Sequence, residues 1–313
     1  MSSGTKRRRP KSRQTPRQTQ RPAPPMRRSL LYIGAVAAVA VIAGVLALTV
    51  FRSGGTTGDQ PSAGLPDTPD YHSLLVDPSD PQKLVLGTHT GLYVSSDGGL
   101  HWRFDTLNGD DAMNLARPGG DIVWLAGHDV FKKSRDGGAT WTDVRPAGLP
   151  SLDIHGFAVD PRNPSVLYAA VAGQGLFRSR DGGRVFSVAS EQVGGGVMAL
   201  AVLRDGSILA GDMQQGLLES PDGGASWKQR LRAQLMGLAV NPSDPKQLLA
   251  TGRGIALSTD GGRTWRSVLN LPDGAGPVAW SRSNPKLAYA VGFNKTFYRS
   301  DDGGKRWQVV GGN

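Results

Sequence analysis

The sequence predicts an all-β protein, a six-bladed β-propeller carried behind an N-terminal single transmembrane helix. Three observations predict it. A short S-x-D-G-G motif recurs six times between residues 95 and 304. The interval between copies holds four short apolar runs bounded by Gly, Pro and Asp, which is the strand signature. Ahead of the repeats lies one long uncharged apolar stretch. A seventh blade would have to come from residues 53–70, where no strand pattern occurs.

Residues 1–29 read as a disordered basic cytoplasmic tail. Ten Lys or Arg and no acid fall within residues 1–28, and the segment has almost nothing apolar to bury. The whole chain has 36 Lys and Arg against 26 Asp and Glu. Removing the tail's ten therefore leaves a neutral remainder, so the propeller has no electrostatic footprint for nucleic acid. The chain has no Cys, which excludes thiolate catalysis and zinc sites built on Cys pairs.

Residues 30–51 carry no charge over 22 positions. As a helix they would extend roughly 33 Å, enough to cross a bilayer core. The other reading, a cleaved signal peptide, fits less well, because signal h-regions run to about 7–15 residues and end at a small-residue site. The tail charges would hold the N-terminus in the cytoplasm and place everything after the span outside the membrane. Residues 52–70, rich in Gly, Pro and Ser, read as a flexible linker.

From residue 71 to 313 the chain divides into six units: 71–109, 110–150, 151–194, 195–233, 234–274 and 275–313. Unit 5 shows the pattern most plainly, with strand-like runs at 236–240, 247–251, 255–258 and 264–268. Four strands per unit, repeated around a ring, make a propeller. A lone four-stranded sheet cannot bury both its faces; stacked neighbours can.

The motif resembles the Asp-box, or BNR repeat, of the sialidase superfamily, S-x-D-x-G-x-x-W. Its aspartates are Asp97, Asp136, Asp181, Asp222, Asp260 and Asp302, and its closing aromatics are Trp102, Trp141, Phe186, Trp227, Trp265 and Trp307. The chemistry of these residues is structural. The carboxylate can accept backbone N–H groups, the glycines allow positive φ, and the aromatic packs between sheets. One carboxylate per turn is too few for calcium. The resemblance, carried also by residues 71–99 and 154–170, is to membrane-tethered or secreted bacterial glycosyl-hydrolase-like proteins. It implies that the boxes lie between the third and fourth strands, on the face away from the ligand. It reaches as well to sortilin-type receptors, xyloglucanases and the photosystem II assembly propeller, so the box marks a scaffold and not a reaction.

If the boxes occupy one face, four of the five histidines fall on the other. His72 and His155 occupy equivalent positions, opening the innermost strands of units 1 and 3. His89 and His128 each stand eight residues before a box aspartate. The equivalents of His72 elsewhere are Met113, Met198, Met236 and Pro277, which should ring the channel mouth. Three readings stay open. The methionines plug the channel and the histidines bond loop backbone. Or His72, His155, Met113, Met198 and Met236 hold a transition metal such as copper, which suits imidazole and thioether. Or the face, with His72, His89, His128, His155 and Asp212, binds a carbohydrate or other small ligand.

The expected function is a membrane-tethered extracytoplasmic module that binds a glycan, a protein or a metal, with no required cofactor. The alternative is a glycoside hydrolase with candidates Asp153, Glu191, His72 and His155. A typical sialidase is not expected: the F/Y-R-I-P motif is missing, and the chain has only Glu191 and Glu219 as glutamates. P-loop, H-E-x-x-H and G-x-S-x-G motifs are missing too.

Overall fold

The computed structural model describes Met1, residues 62–193 and residues 195–311. Apart from Met1, the expected tail at 1–29 and the expected span at 30–51 lie outside the described residues. Among the described residues no helix is long and apolar enough to cross a membrane.

The chain forms six antiparallel sheets, each made from consecutive strands. The innermost strands, in ring order, are Ser73–Val76, Asn114–Gly119, Ile154–Val159, Val197–Val202, Gly237–Val240 and Ala275–Trp280. Each contacts the next, and the sixth contacts the first, so the ring closes. This is the six-bladed propeller, and we number blades 1 to 6 by these strands. In blade 5 the strands are Gly237–Val240, Leu248–Thr251, Gly254–Ser258 and Arg266–Asn270, each within two residues of the predicted starts and ends.

Burial follows position in the blade. The second strands are the most buried; Leu167–Val171 and Ala288–Gly292 are buried along their whole length because neighbouring blades cover both faces. Continuous apolar sequence is what such strands need. The outer strands are exposed and polar; Lys228–Leu231 and Arg266–Asn270 carry charges that discourage pairing with another chain.

The six boxes build one turn six times. In blade 1 the Ser95 hydroxyl donates to Asp97 Oδ1 at 2.9 Å and accepts the Gly99 N–H at 2.9 Å. Asp97 Oδ1 also accepts the His101 N–H at 3.0 Å. The same knot ties Ser134 to Asp136, Ser179 to Asp181, Ser220 to Asp222, Ser258 to Asp260 and Ser300 to Asp302. All twelve box glycines have φ between 73° and 107°, a region that only glycine enters without strain. In blades 1, 2, 3, 5 and 6 the first box glycine bonds the first-to-second strand turn of its own blade, as Gly98 N–H does to Gln82 O at 2.9 Å. Both kinds of turn therefore share a face.

Each box aromatic reaches the preceding blade. Trp102 meets Phe297 of blade 6 edge to face at 5.4 Å, and Phe186 meets Phe131 of blade 2 at 6.1 Å. Trp227 donates to Ser190 Oγ of blade 3 at 3.1 Å. Closure of the ring depends on this packing. Among the described residues no strand is shared between the first and last blades; Trp102, Phe297, Tyr71 and Tyr289 sit in one core cluster, and Tyr289 donates to Pro81 O at 3.0 Å.

The linker expectation needs one correction. Ser62–Ala63 pair with the outer strand of blade 1 as a fifth strand, and Pro66 and Thr68 are buried. Tyr71 donates to Pro66 O at 2.7 Å. Leu65 packs on the closing core, so this end of the linker has apolar surface to hide and folds onto the blade.

Two outcomes follow from the boxes. A Cβ on Gly99 would collide with the Phe297 ring, whereas one on Gly182 meets nothing within 4 Å. Gly182→Ala then costs about 1–2 kcal/mol for φ alone, and Gly99→Ala costs about 2–5 kcal/mol because overpacking adds; urea midpoints measure both. Hydrogen bonds from Thr140, Ser226 and Thr264 hold Asp136, Asp222 and Asp260 down to about 2. Depressed carboxylates add stability that is full above their ordinary 3.8 and is lost as pH falls through about 2. Melting temperatures should hold steady above pH 4 and drop below it; a flat profile down to pH 2 would contradict the bonding.

Candidate functional site

On the face opposite the boxes, at the mouth of the channel, the first three blades bring four imidazoles and three carboxylates together. The placement begins in the backbone. Where blade 1's second strand ends, the Ala112 N–H bonds Thr88 O at 2.9 Å and the His72 N–H bonds Gly87 O at 2.9 Å. The segment leading into blade 2 therefore runs beside the next hairpin, and Asp111 lands next to His89. Gly127 repeats the arrangement one blade on: any side chain there would overlap the Asp111 carbonyl. His128 follows Gly127 directly and so also faces Asp111. His89 and His128 open two-residue hairpin turns, between Thr88 and Gly91 and between Gly127 and Val130. Asn114 fixes blade 2 to blade 3 by donating to Ile154 O and accepting the Phe157 N–H, both at 3.2 Å.

The resulting row alternates acid and base. Asp70 lies 3.0 Å from His72 Nε2 and 2.8 Å from His89 Nε2. Asp111 Oδ2 lies 2.8 Å from His89 Nδ1 and 2.5 Å from His128 Nδ1. Asp153 Oδ1 lies 3.2 Å from His128 Nε2 and 3.0 Å from His155 Nε2. The two nitrogens His128 Nε2 and His155 Nε2 are hydrogen-bonded at 3.0 Å. The carboxylate contacts are short but poorly aligned. Asp70 Oδ1, His72 Nε2, both Asp111 oxygens and Asp153 Oδ1 are buried without a hydrogen-bond partner.

The electrostatics follow from this geometry. The Asp111 and Asp70 carboxylates against its two nitrogens raise His89 to about 10, against the opposing pull of burial. Asp111 raises His128 as well. Burial lowers His155, against the raising pull of Asp153. Burial alone would raise Asp111, but the His128 and His89 contacts outweigh it and hold it at about 2. Asp70 is likewise held well below the carboxylate range, by His72 and His89 against burial.

The other predicted residues fall elsewhere. Met113, Met198, Met236 and Pro277 line a channel cavity of about 130 Å3 together with His72 and Phe157. The imidazole–thioether set is thus divided: His72 touches the methionine cavity, while His155 lies in the row with Asp153. Asp212 is buried, and its Oδ1 accepts the Gln214 and Gln215 N–H groups at 2.7 and 2.8 Å, so its own turn consumes it. Glu191 stands exposed after the outer strand of blade 3 and takes no part in the row. Sequence reasoning missed Asp70 and Asp111. The signal was available: Asp70, Asp111 and Asp153 each stand two residues before the position occupied by His72, Met113 and His155.

Comparison with known proteins matches residues 72–310 to the family described as Photosynthesis system II assembly factor YCF48. The chain is 24% identical over 251 residues to the photosystem II assembly lipoprotein Ycf48 of Synechococcus sp. (strain CC9902), covering 75% of this chain and 73% of that one. Among solved structures it resembles YCF48 bound to D1 peptide, with a TM-score of 0.53 and 18% identity over 82% of this chain and 87% of that one. It also resembles the GH74 xyloglucanase of Xanthomonas campestris, with a TM-score of 0.57 and 20% identity over 80% of this chain. The chain spans 47% of that enzyme's length. At these identities the structural likenesses show the fold alone.

Proposed function

The chain belongs to the Photosynthesis system II assembly factor YCF48 family, and we propose from that premise that it is a membrane-tethered assembly module which docks a segment of a partner protein at its channel mouth. The observation that carries the reading is the concentration of polar chemistry in one place. The box face spends its aspartates on its own turns, whereas the opposite face gathers seven ionisable side chains over blades 1 to 3. The relative solved with D1 peptide supports a polypeptide occupant. Hydrolysis is the weaker reading: Asp153 faces His128 and His155, while Glu191 stands apart on an exposed loop.

The tether belongs to the same proposal. Residues 30–51 cross the membrane once, the basic tail stays in the cytoplasm, and the propeller works outside. The name of the Synechococcus relative, a lipoprotein, supports a membrane location.

Two measurements test this. A photo-crosslinker at Asp129, beside His128, should capture one extracytoplasmic segment of a membrane protein in native membranes, and a crosslinker at the box-face Arg184 should not. Capture from Arg184 alone, or none from Asp129, would count against docking at the mouth. Because the chain has no Cys, a single introduced one reports topology. In intact cells Arg184→Cys should react with a membrane-impermeant maleimide and Thr5→Cys should be protected; the reverse pattern rejects the orientation.

A further inference from the structure

We propose that the channel mouth holds a divalent transition-metal ion bound by His89 Nδ1, His128 Nδ1 and the Asp111 carboxylate, with Asp70 and Asp153 orienting the two imidazoles from outside. The inference goes beyond the docking reading and stands on donor geometry whether or not a partner binds.

Three lines of geometry lead to it. First, the three donors lie within 4.8 Å of one another. Asp111 Oδ2 is already 2.8 and 2.5 Å from the two nitrogens. A few tenths of an ångström of opening brings these separations to about 3 Å, the edge of a shell with metal–ligand bonds of about 2.1 Å. Second, Asp111 is only 8% exposed, and neither of its oxygens has a hydrogen-bond partner. A carboxylate removed from water needs positive charge beside it, which protonated imidazoles or an ion held between them can supply. Third, the protons have other places to go. His128 Nε2 is hydrogen-bonded to His155 Nε2 at 3.0 Å and lies beside Asp153. His89 Nε2 is 2.8 Å from Asp70. With protons on these outer nitrogens, an ion that displaces the Nδ1 protons finds both Nδ1 lone pairs aimed at it beside Asp111. An imidazole that coordinates with one nitrogen while a carboxylate holds the other is the usual outer shell of a metal site.

The row contains two flanking sets as well, Asp70–His72–His89 and His128–Asp153–His155. A neutral imidazole has one bare nitrogen, so His89 and His128 cannot serve the middle and the flanks together. The outer contacts favour the middle. Two imidazoles and a carboxylate, without sulfur, suit zinc and its divalent first-row neighbours more than copper(I) or calcium. The side chains of His89 and His128 are 36% and 42% exposed, so the remaining coordination positions open to solvent.

The experiment uses the full chain in detergent, stripped with chelator and loaded with Zn2+ or Co2+. Calorimetry should give one tight ion per chain, and zinc X-ray absorption on the wild type should give two imidazoles in the shell. Asp111→Asn and His89→Gln should abolish the tight ion, and Asp70→Asn and Asp153→Asn should weaken it by about 10–100-fold. Met113→Leu and His101→Gln, outside the row, should leave it intact. Absence of a tight ion in the wild type would overturn the proposal. So would a shell without two imidazoles, or loss in His72→Gln with retention in Asp111→Asn. The wild-type absorption spectrum does not depend on any variant folding, and circular-dichroism melts establish the fold of those that are compared.

Discussion

The structure depends on one hydrogen-bonded knot, the serine hydroxyl that donates to the box aspartate and accepts from the second box glycine. Each turn it fixes presents an aromatic to the preceding blade at a set depth. Five of the six are tryptophans, and four of those donate their indole N–H to the carbonyl of the second box glycine, as Trp265 does to Gly262 O at 3.0 Å. The side chain is thus oriented by the turn that carries it. Where Phe186 replaces Trp there is no indole proton to place, and the ring is held by Phe131 and its neighbours. Six repetitions of one local rule set the pitch between sheets, and among the described residues that pitch closes the ring without a strand shared between its ends.

Closure also decides where chemistry can collect. The box face is committed to structure, because its carboxylates are spent on backbone N–H groups. The opposite face has no such demand, yet it is not used evenly. Blades 1, 2 and 3 place Asp70, Asp111 and Asp153 at one equivalent position; the same position holds Gly196, Gln234 and Ala275 in blades 4 to 6. A ring of nearly identical units has been made asymmetric by a handful of side chains, and the polar row stops at the boundary between blades 3 and 4.

The blade count and the strand order were legible in the sequence because the box recurs in register and its turn chemistry is local. The gathering of His72, His89, His128 and His155 was legible for the same reason, since equivalent positions in a ring lie near one another. The acids were harder to read. Asp70 and Asp111 precede their strands, in segments whose course depends on the backbone approach at Gly87 and Gly127, and that approach is a tertiary fact. Asp212 misled in the opposite direction. A polar residue at the end of a strand looks available until its own turn is seen to bond it. The folded end of the linker escaped notice because a two-residue strand has no periodicity to detect.

The outermost strand of blade 1 has a mechanical consequence. Ser62–Ala63 hold the blade edge through two residue pairs, with Trp102 and His101. Tension arriving through Ser62 would peel that short seam bond by bond, as a zip opens, before it could reach the aromatic packing that closes the toroid. The edge can act as a sacrificial strap that yields while the ring beneath keeps its shape.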